Sequence, residues 1–183
     1  ETDVRIIPFR GEYYALRREA RHLVNHLIYP VPDPALPFLG VHLTRTIHGV
    51  VEAGPNAVLA FAKEGYKKLD FNSGEALDMI RFIGFWRMAR KNWKTGLDEF
   101  RRSLSKELFT RSLQRLVPEI TMEDLQPFPA GVRAQAVAAD GTLVNDFAFA
   151  RSDRALHVLN APSPAATASL VIARHVVNMA KPT

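Results

Sequence analysis

GVRAQAVAADGTLVNDFAF, residues 131 to 149, decides the fold class. Its small apolar residues are interleaved with polar ones, and Asp140-Gly141 is a strong turn dipeptide because both positions tolerate positive φ. The stretch therefore reads as a β-hairpin. What matters is where it stands: a long helical tract precedes it, so strands resume after helices.

Upstream, residues 4 to 61 read as strands punctuated by proline and glycine. VRIIPFRGEYYAL, HLIYPV, FLGVHLTRTI and VVEAG are rich in β-branched and aromatic residues. PVPDPALP lies between them as an extended, turn-forming connection. The period changes at NSGE, where Asn72 or Ser73 can cap a helix with Glu75 behind it. Met79, Phe82, Ile83, Trp86 and Trp93 then recur at helical spacing, and Lys94 with Gly96 ends that element. A second helix follows, with Leu97, Phe100, Leu104, Leu108 and Leu116 as its buried stripe and Pro118 as its stop. The two make a helical hairpin over 73–117 whose basic outer face (Arg90, Lys91, Arg101, Arg102) is solvated. Strands, helices, strands and a last helix give an α+β class with a mostly antiparallel sheet.

Downstream, ALHVLN is one more strand and NAPSPAATASLVIARHVVNMAK (160–181) opens the final helix. Ser163 can cap it and Pro164 suits the first helical position. Its first turn holds Ala165, Ala166 and Thr167, with no Asp or Glu to answer the positive end of the dipole. Small residues and bare N–H groups there favour an anion or an electron-rich carbonyl, while water alone satisfies many such ends.

Composition narrows the classes. At 183 residues one domain is the default, with no cysteine for disulfides, thiolate metal sites or a thiol nucleophile. The net charge of +5 comes from 24 basic and 19 acidic residues with no single-sign block, which argues against nucleic acid and fits either a basic cavity for a small acid or a solvated surface with no function. No run reaches the ~20 apolar residues of a membrane span. P-loop, G-x-S-x-G and G-x-G-x-x-G motifs are all missing. His22 and His26 are four apart, but the HEXXH glutamate is lacking and the context reads as strand, so no metal site is expected.

Three positions could carry chemistry. A strand over 41–48 places His42, Thr44, Thr46 and His48 on one face, either a cavity wall with His42 as acid or base or a plain solvent face. Arg133 stands alone among small residues, where it either grips a carboxylate through two parallel hydrogen bonds or points to water from an edge strand. In GEYY, Gly11 and Tyr13 share one face, and a tyrosine hydroxyl there either orients a polar ligand or is the wet tip of a packed ring.

In order along the chain, PFRGEYYAL (8–16), YPVPDPALPFLGVHLT (29–44), GPNAVLAFAKEGY (54–66), GVRAQAVAADG (131–141) and NAPSPAATASL (160–170) resemble the L-2-hydroxyglutarate oxidase/dehydrogenase group of D-amino-acid-oxidase-like flavoproteins. The resemblance implies an FAD-dependent oxidoreductase that oxidises a small 2-hydroxy dicarboxylate by hydride transfer to flavin, with oxygen or a quinone as final acceptor. It implies that residues 1–128 belong to a substrate-binding part and that 129–183 complete an FAD-binding domain. Arg133 matches the superfamily's G-I-R-type arginine for the substrate carboxylate. Tyr13 and Arg10 are candidates for the distal carboxylate, and His42 for the base. The backbone of Asn160, Ala161, Ser163, Ala165, Ala166 and Thr167 would lie along the flavin.

The family's N-terminal G-x-G-x-x-G unit has no counterpart here. The expectation is a natural chain extending upstream of Glu1, so that this piece holds half a cofactor site, binds FAD weakly or not at all, and does not turn over. The expected setting is cytoplasmic, with peripheral contact at the inner membrane allowed. An amine or amino-acid oxidase of the same superfamily and a non-catalytic binding module are the alternatives.

Overall fold

A computed structural model describes residues 3–31, 40–162 and 165–180 of the chain. Most of PVPDPALP, together with Ser163 and Pro164, lies outside the described residues. Seven strands and four helices follow in the order β1 (Val4–Leu16), β2 (Leu27–Ile28), β3 (His42–Arg45), β4 (Val51–Leu59), α1 (Ser73–Arg81), α2 (Ile83–Leu104), α3 (Lys106–Gln114), β5 (Leu125–Ala138), β6 (Ala148–Ser152), β7 (Ala155–Asn160) and α4 (Ser169–Ala180). The α+β class read from the sequence is the observed one.

The main sheet is antiparallel, in the order β2-β3-β4-β1-β5, and β6 with β7 forms a separate two-stranded ribbon. β1 is its centre, pairing with β4 from Phe9↔Leu59 and with β5 from Val4↔Ala138 to Leu16↔Leu125. Both neighbours slip by one residue opposite the same stretch of β1. On β4 the pairing steps from Glu12↔Asn56 to Tyr14↔Ala53, and on β5 from Gly11↔Gly131 to Tyr13↔Phe128. The extra residues fall at Gly54-Pro55 and Pro129-Ala130, where proline sits in a bulge because it gives the ladder no N–H. β1 itself alternates without interruption.

That alternation sorts the core. Even residues Tyr14 and Leu16 face a cluster with Leu43, Ala53, Val51, Phe109, Leu113, Ile120 and Leu125, roofed by α3. Odd residues Ile7 and Phe9 face a second cluster with Met79, Phe85, Met88 and Val137 under α1 and α2. The two ends of the sheet are thus covered on opposite faces. α2 passes between them around the edge of β4, where β3 has already ended at the His42↔Gly54 pair. There the Ala57 N–H donates to the Glu99 carboxylate (2.9 Å) and the Asn56 amide donates to the Glu99 carbonyl (2.9 Å).

Several local expectations are corrected. The helical tract is three helices, broken at Phe82 and Ser105, both extended, and α2 runs through Gly96. Asn72 does cap α1, its side chain accepting from the Glu75 N–H. Ser105 caps α3, its hydroxyl accepting from the Leu108 N–H, which is why the chain can restart there. Leu97, Phe100, Leu104 and Leu108 are exposed rather than buried, and Glu99 takes the inner position. Nor is Arg102 merely solvated: it pairs with Glu99 and donates to Asn56 Oδ1 at 3.2 Å. His22 lies in a short 3-10 turn (18–23), not a strand. β3 stops at Arg45, so Thr46 and His48 leave the predicted row; the Thr46 hydroxyl instead closes a turn on Val50.

The hairpin on Asp140-Gly141 is present. Gly141 takes φ +83°, its N–H donates to the Ala138 carbonyl, and the return limb bridges through Leu143 to Val137. The last helix starts later than Ser163 and Pro164 suggested. Residues 165–168 form a turn and α4 begins at Ser169, with the Ala168 carbonyl accepting its first bonds.

A candidate active-site face on the sheet

The register places Tyr13, His42 and Arg133, three of the ten sequence-predicted residues, on one side of the sheet. Gly11 and Tyr13 are odd residues of β1. Gly131 pairs with Gly11, so Arg133, two residues on along β5 and paired with Phe9, shares their face. On the far side, His42 pairs with Gly54 and Thr44 with Glu52. The Tyr13 ring ties these halves together. A side chain built at Gly54 would meet Tyr13 Cδ1 at 2.8 Å, and one built at Gly11 would meet Tyr13 Cε2 at 3.4 Å. Tyr13 therefore lies across two glycines, with His42 beyond one of them and Arg133 beyond the other.

This middle stretch of the face lies between the two core clusters. Pro55 and Tyr13 cover its floor at Gly11, where a Cβ would stand 3.1 Å from the Pro55 Cβ, whereas at Gly131 the floor is bare backbone and a side chain would meet nothing within 4 Å. Arg133 is exposed, while Tyr13, His42, Thr44 and Glu52 are half-buried. Partial burial lowers the Arg133 pKa, yet a guanidinium stays charged at any working pH.

His42 stacks on Tyr29, with ring centroids 4.3 Å apart and planes 20° from parallel. Its Nδ1 lies 3.2 Å from the Gly40 carbonyl oxygen. A carbonyl only accepts, so this bond requires hydrogen on Nδ1 and leaves the lone pair on Nε2. Desolvation lowers the His42 pKa, and the bond to Gly40 offsets part of that. The imidazole is accordingly neutral at neutral pH and equipped to take a proton. Tyr13 is pushed the other way by burial first, then by Glu52 and Tyr29, so its hydroxyl keeps its proton.

Arg10 is not brought to this face. It is an even residue of β1, buried, donating to Glu12 Oε1 (2.9 Å) and to the Lys67 carbonyl (3.1 Å). Its donors hold the 61–71 loop to the sheet. Asn160 is also buried and braces a turn through bonds to the carbonyls of Val144 (3.1 Å) and Asp146 (2.8 Å). Ala161, Ala166 and Thr167 are exposed and Ala165 is half-buried. The first turn of α4 carries no acidic residue. Ser163 falls outside the described residues.

Tyr29 and Glu52 were missed by sequence reading. Nothing local marks Tyr29; only the pairing of Leu27 and Ile28 with β3 brings it beside His42. Glu52 had a signal, an acid in a β-branched strand two residues from Gly54. A further cavity of ≈ 490 Å³ lies against the edge of β4, walled by Phe9, Leu59, Phe85, Trp93 and Phe100. Among the described residues, no helix is long and apolar enough to cross a membrane, and no group of three His, Cys, Asp or Glu could hold a metal ion.

Residues 1–179 match the family described as FAD dependent oxidoreductase. The chain is 52% identical over 173 residues to the L-2-hydroxyglutarate dehydrogenase of Escherichia coli strain K12, covering 94% of this chain and 41% of that protein. Against the L-2-hydroxyglutarate dehydrogenase of Indibacter alkaliphilus the identity is 56% over 170 residues, covering 93% and 43%. Against the mitochondrial L-2-hydroxyglutarate dehydrogenase of Nematostella vectensis it is 49% over 181 residues, covering 96% and 40%. The chain thus spans about two fifths of the length of these relatives.

Proposed function

The chain belongs to the FAD dependent oxidoreductase family, and on that premise we propose that it is the substrate-facing part of an enzyme oxidising L-2-hydroxyglutarate to 2-oxoglutarate. The observation that carries this reading is the sheet face where a fixed cation, a protonated phenol and a neutral imidazole stand around a floor left open at Gly131. A small hydroxy acid needs those three groups, and a flat ring needs such a floor to approach.

Arg133 grips the carboxylate next to the reacting carbon, because a guanidinium matches a carboxylate with two parallel hydrogen bonds. Tyr13, lying between Arg133 and His42, donates its hydroxyl hydrogen to a substrate oxygen. His42 Nε2 accepts the hydroxyl proton as the C2–H bond gives up its hydride, and a neutral imidazole is the form that can do so. Arg10, with its donors committed to Glu12 and Lys67, supports the sheet from behind rather than binding substrate.

FAD, when bound, would supply the hydride acceptor, with oxygen or a quinone as the proposed final acceptor. The stretch from Asn160 to Thr167 is suited to flank it. Small residues there allow close approach, and the acid-free start of α4 offers positive potential where electron density gathers. β5 runs through the 128–129 division and so joins the substrate sheet to the part proposed to complete the flavin domain. Because the chain carries no G-x-G-x-x-G, the 183 residues alone should bind FAD weakly or not at all and show no turnover, which an FAD titration followed by absorbance checks.

The decisive experiment grafts this chain in place of the homologous region of the E. coli relative and assays oxidation with an artificial electron acceptor. Arg133→Met should raise KM for L-2-hydroxyglutarate, and His42→Gln should lower kcat by roughly 100-fold, the scale of a lost general base. A graft indifferent to both changes sinks the proposal.

A further inference from the structure

We infer that Tyr29 is a positioning residue for His42: its ring holds the imidazole plane while the Gly40 carbonyl selects the tautomer, so that Nε2 is kept as the proton-accepting nitrogen. This rests on the reading of His42 as the base, and it adds a residue that neither the sequence pattern nor the family match singles out.

Two devices are needed because each leaves one freedom open. A histidine on a strand retains rotation about χ2, and a half-turn exchanges the two sides of the ring. The bond from Nδ1–H to the Gly40 carbonyl (3.2 Å) favours one side but is long and single, so it does not fix the plane. Stacking at 4.3 Å and 20° fixes the plane but, being nearly symmetric to a half-turn, does not choose the side. Together they define one ring orientation and one tautomer. Tyr29 also excludes water from one side of the imidazole, consistent with the lowered His42 pKa.

The geometry separates Tyr29 from an ordinary core aromatic. It is exposed to 45%, and neither hydrophobic cluster of the core includes it. The other titratable or charged groups on this face are Tyr13 from β1, Glu52 from β4 and, beyond Tyr13, Arg133 from β5. Tyr13 keeps its proton and Glu52, a carboxylate, would raise a neighbouring imidazole rather than lower it. None of the three, Arg133 included, is among the causes of the lowered His42 pKa, which are burial and, opposing it, the Gly40 bond.

The test uses the 183-residue chain with imidazole nitrogens followed by long-range ¹H–¹⁵N correlation, comparing Tyr29→Phe and Tyr29→Leu. The Leu variant should shift the His42 titration upward towards its ordinary value and let the Nε2–H tautomer appear. The Phe variant, which keeps the stacked face and loses only the hydroxyl, should match the parent in both. Backbone amide spectra confirm that each variant is folded, and the exposed position makes both substitutions tolerable. In the E. coli graft, the Leu variant should move the acid limb of the kcat profile by the same amount and lower kcat roughly tenfold, with KM retained.

A Leu variant with the parent's tautomer and titration overturns the inference, as does a Phe variant that changes as much as Leu. Loss of the base role reads out separately. If His42→Gln leaves kcat in the graft unchanged while Tyr29→Leu still moves the imidazole titration, the proposed mechanism fails and the positioning contact stands.

Discussion

Gly54 and Gly131 lie on the same face, yet they call for opposite behaviour. Gly54 has φ +146°, and a Cβ there would stand 2.8 Å from the Glu12 carbonyl oxygen. Gly54→Ala should therefore destabilise the fold by about 1–3 kcal/mol, the cost of a strained backbone residue, as measured by chemical denaturation. Gly131 is under no such constraint. Gly131→Leu should change stability by no more than about 0.5 kcal/mol. In the E. coli graft it should nonetheless abolish most turnover, because its side chain would occupy the floor between Tyr13 and Arg133. Equal turnover with and without the leucine would remove the site from this face. His42 adds a pH signature. Its folded pKa is lowered below 6.5, so the folded state resists protonation and stability falls as pH drops below about 6.5. His42→Gln should flatten that slope. Of these residues, Tyr13, His42 and Arg133 were legible from strand alternation and residue type. Tyr29 and the glycine floor were not, because they meet their partners only through the register of strands far apart in sequence.

At the scale of elements, the helical tract shows where periodicity misleads. The apolar positions Leu97, Phe100, Leu104 and Leu108 fit a buried stripe, yet the inward residue of that stretch of α2 is Glu99. The reason is an edge. Beyond Gly54, no strand among the described residues pairs with the outer side of β4, and the Ala57 N–H needs an acceptor that no apolar side chain supplies. No window of sequence contains that need, since it arises 42 residues upstream of the helix position that answers it. The breaks at Phe82 and Ser105 escaped a periodicity search for a related cause. Both helices beyond them continue the pattern closely enough to disguise one extended residue. Burial raises the Glu99 pKa, and Arg102 with the bond from Ala57 opposes it only in part. An acid whose folded pKa is raised loses stability as pH climbs from its ordinary 4.5 to the raised value. Glu99→Gln retains an acceptor for Ala57 and should remove that slope, seen as denaturation midpoints across pH 4 to about 7. Glu99→Leu leaves the N–H unbonded and should cost about 1–3 kcal/mol.

Across the whole molecule, stability is distributed unevenly. β1, β4 and β5 are clamped between two clusters of fully buried side chains, whereas α4 buries no residue at all. Leu170 and Val171 are 86% and 73% exposed, and α4 is held mainly by its contacts with the β6–β7 ribbon, including the Arg151 bond to the Met179 carbonyl. An amphipathic helix gains most of its stability from the apolar face it buries, not from propensity. The sequence did reveal a helix here, but it placed the start at Pro164. An N-cap signal fixes where a helix can begin, while packing decides where it does. Amide hydrogen exchange should follow this division. Amides of β1 and β5 should open only with global unfolding, and those of α4 should exchange by local opening at far lower free energy. Grafted into the E. coli relative, α4 should gain protection by several orders of magnitude if its exposed face is the one the flavin domain covers, while β1 and β5 should change little. Protection of α4 in the isolated chain equal to that of β1 would contradict the division. Unchanged exchange in the graft would show that this helix serves no flavin domain, and the part assigned to residues 160–167 would fall with it.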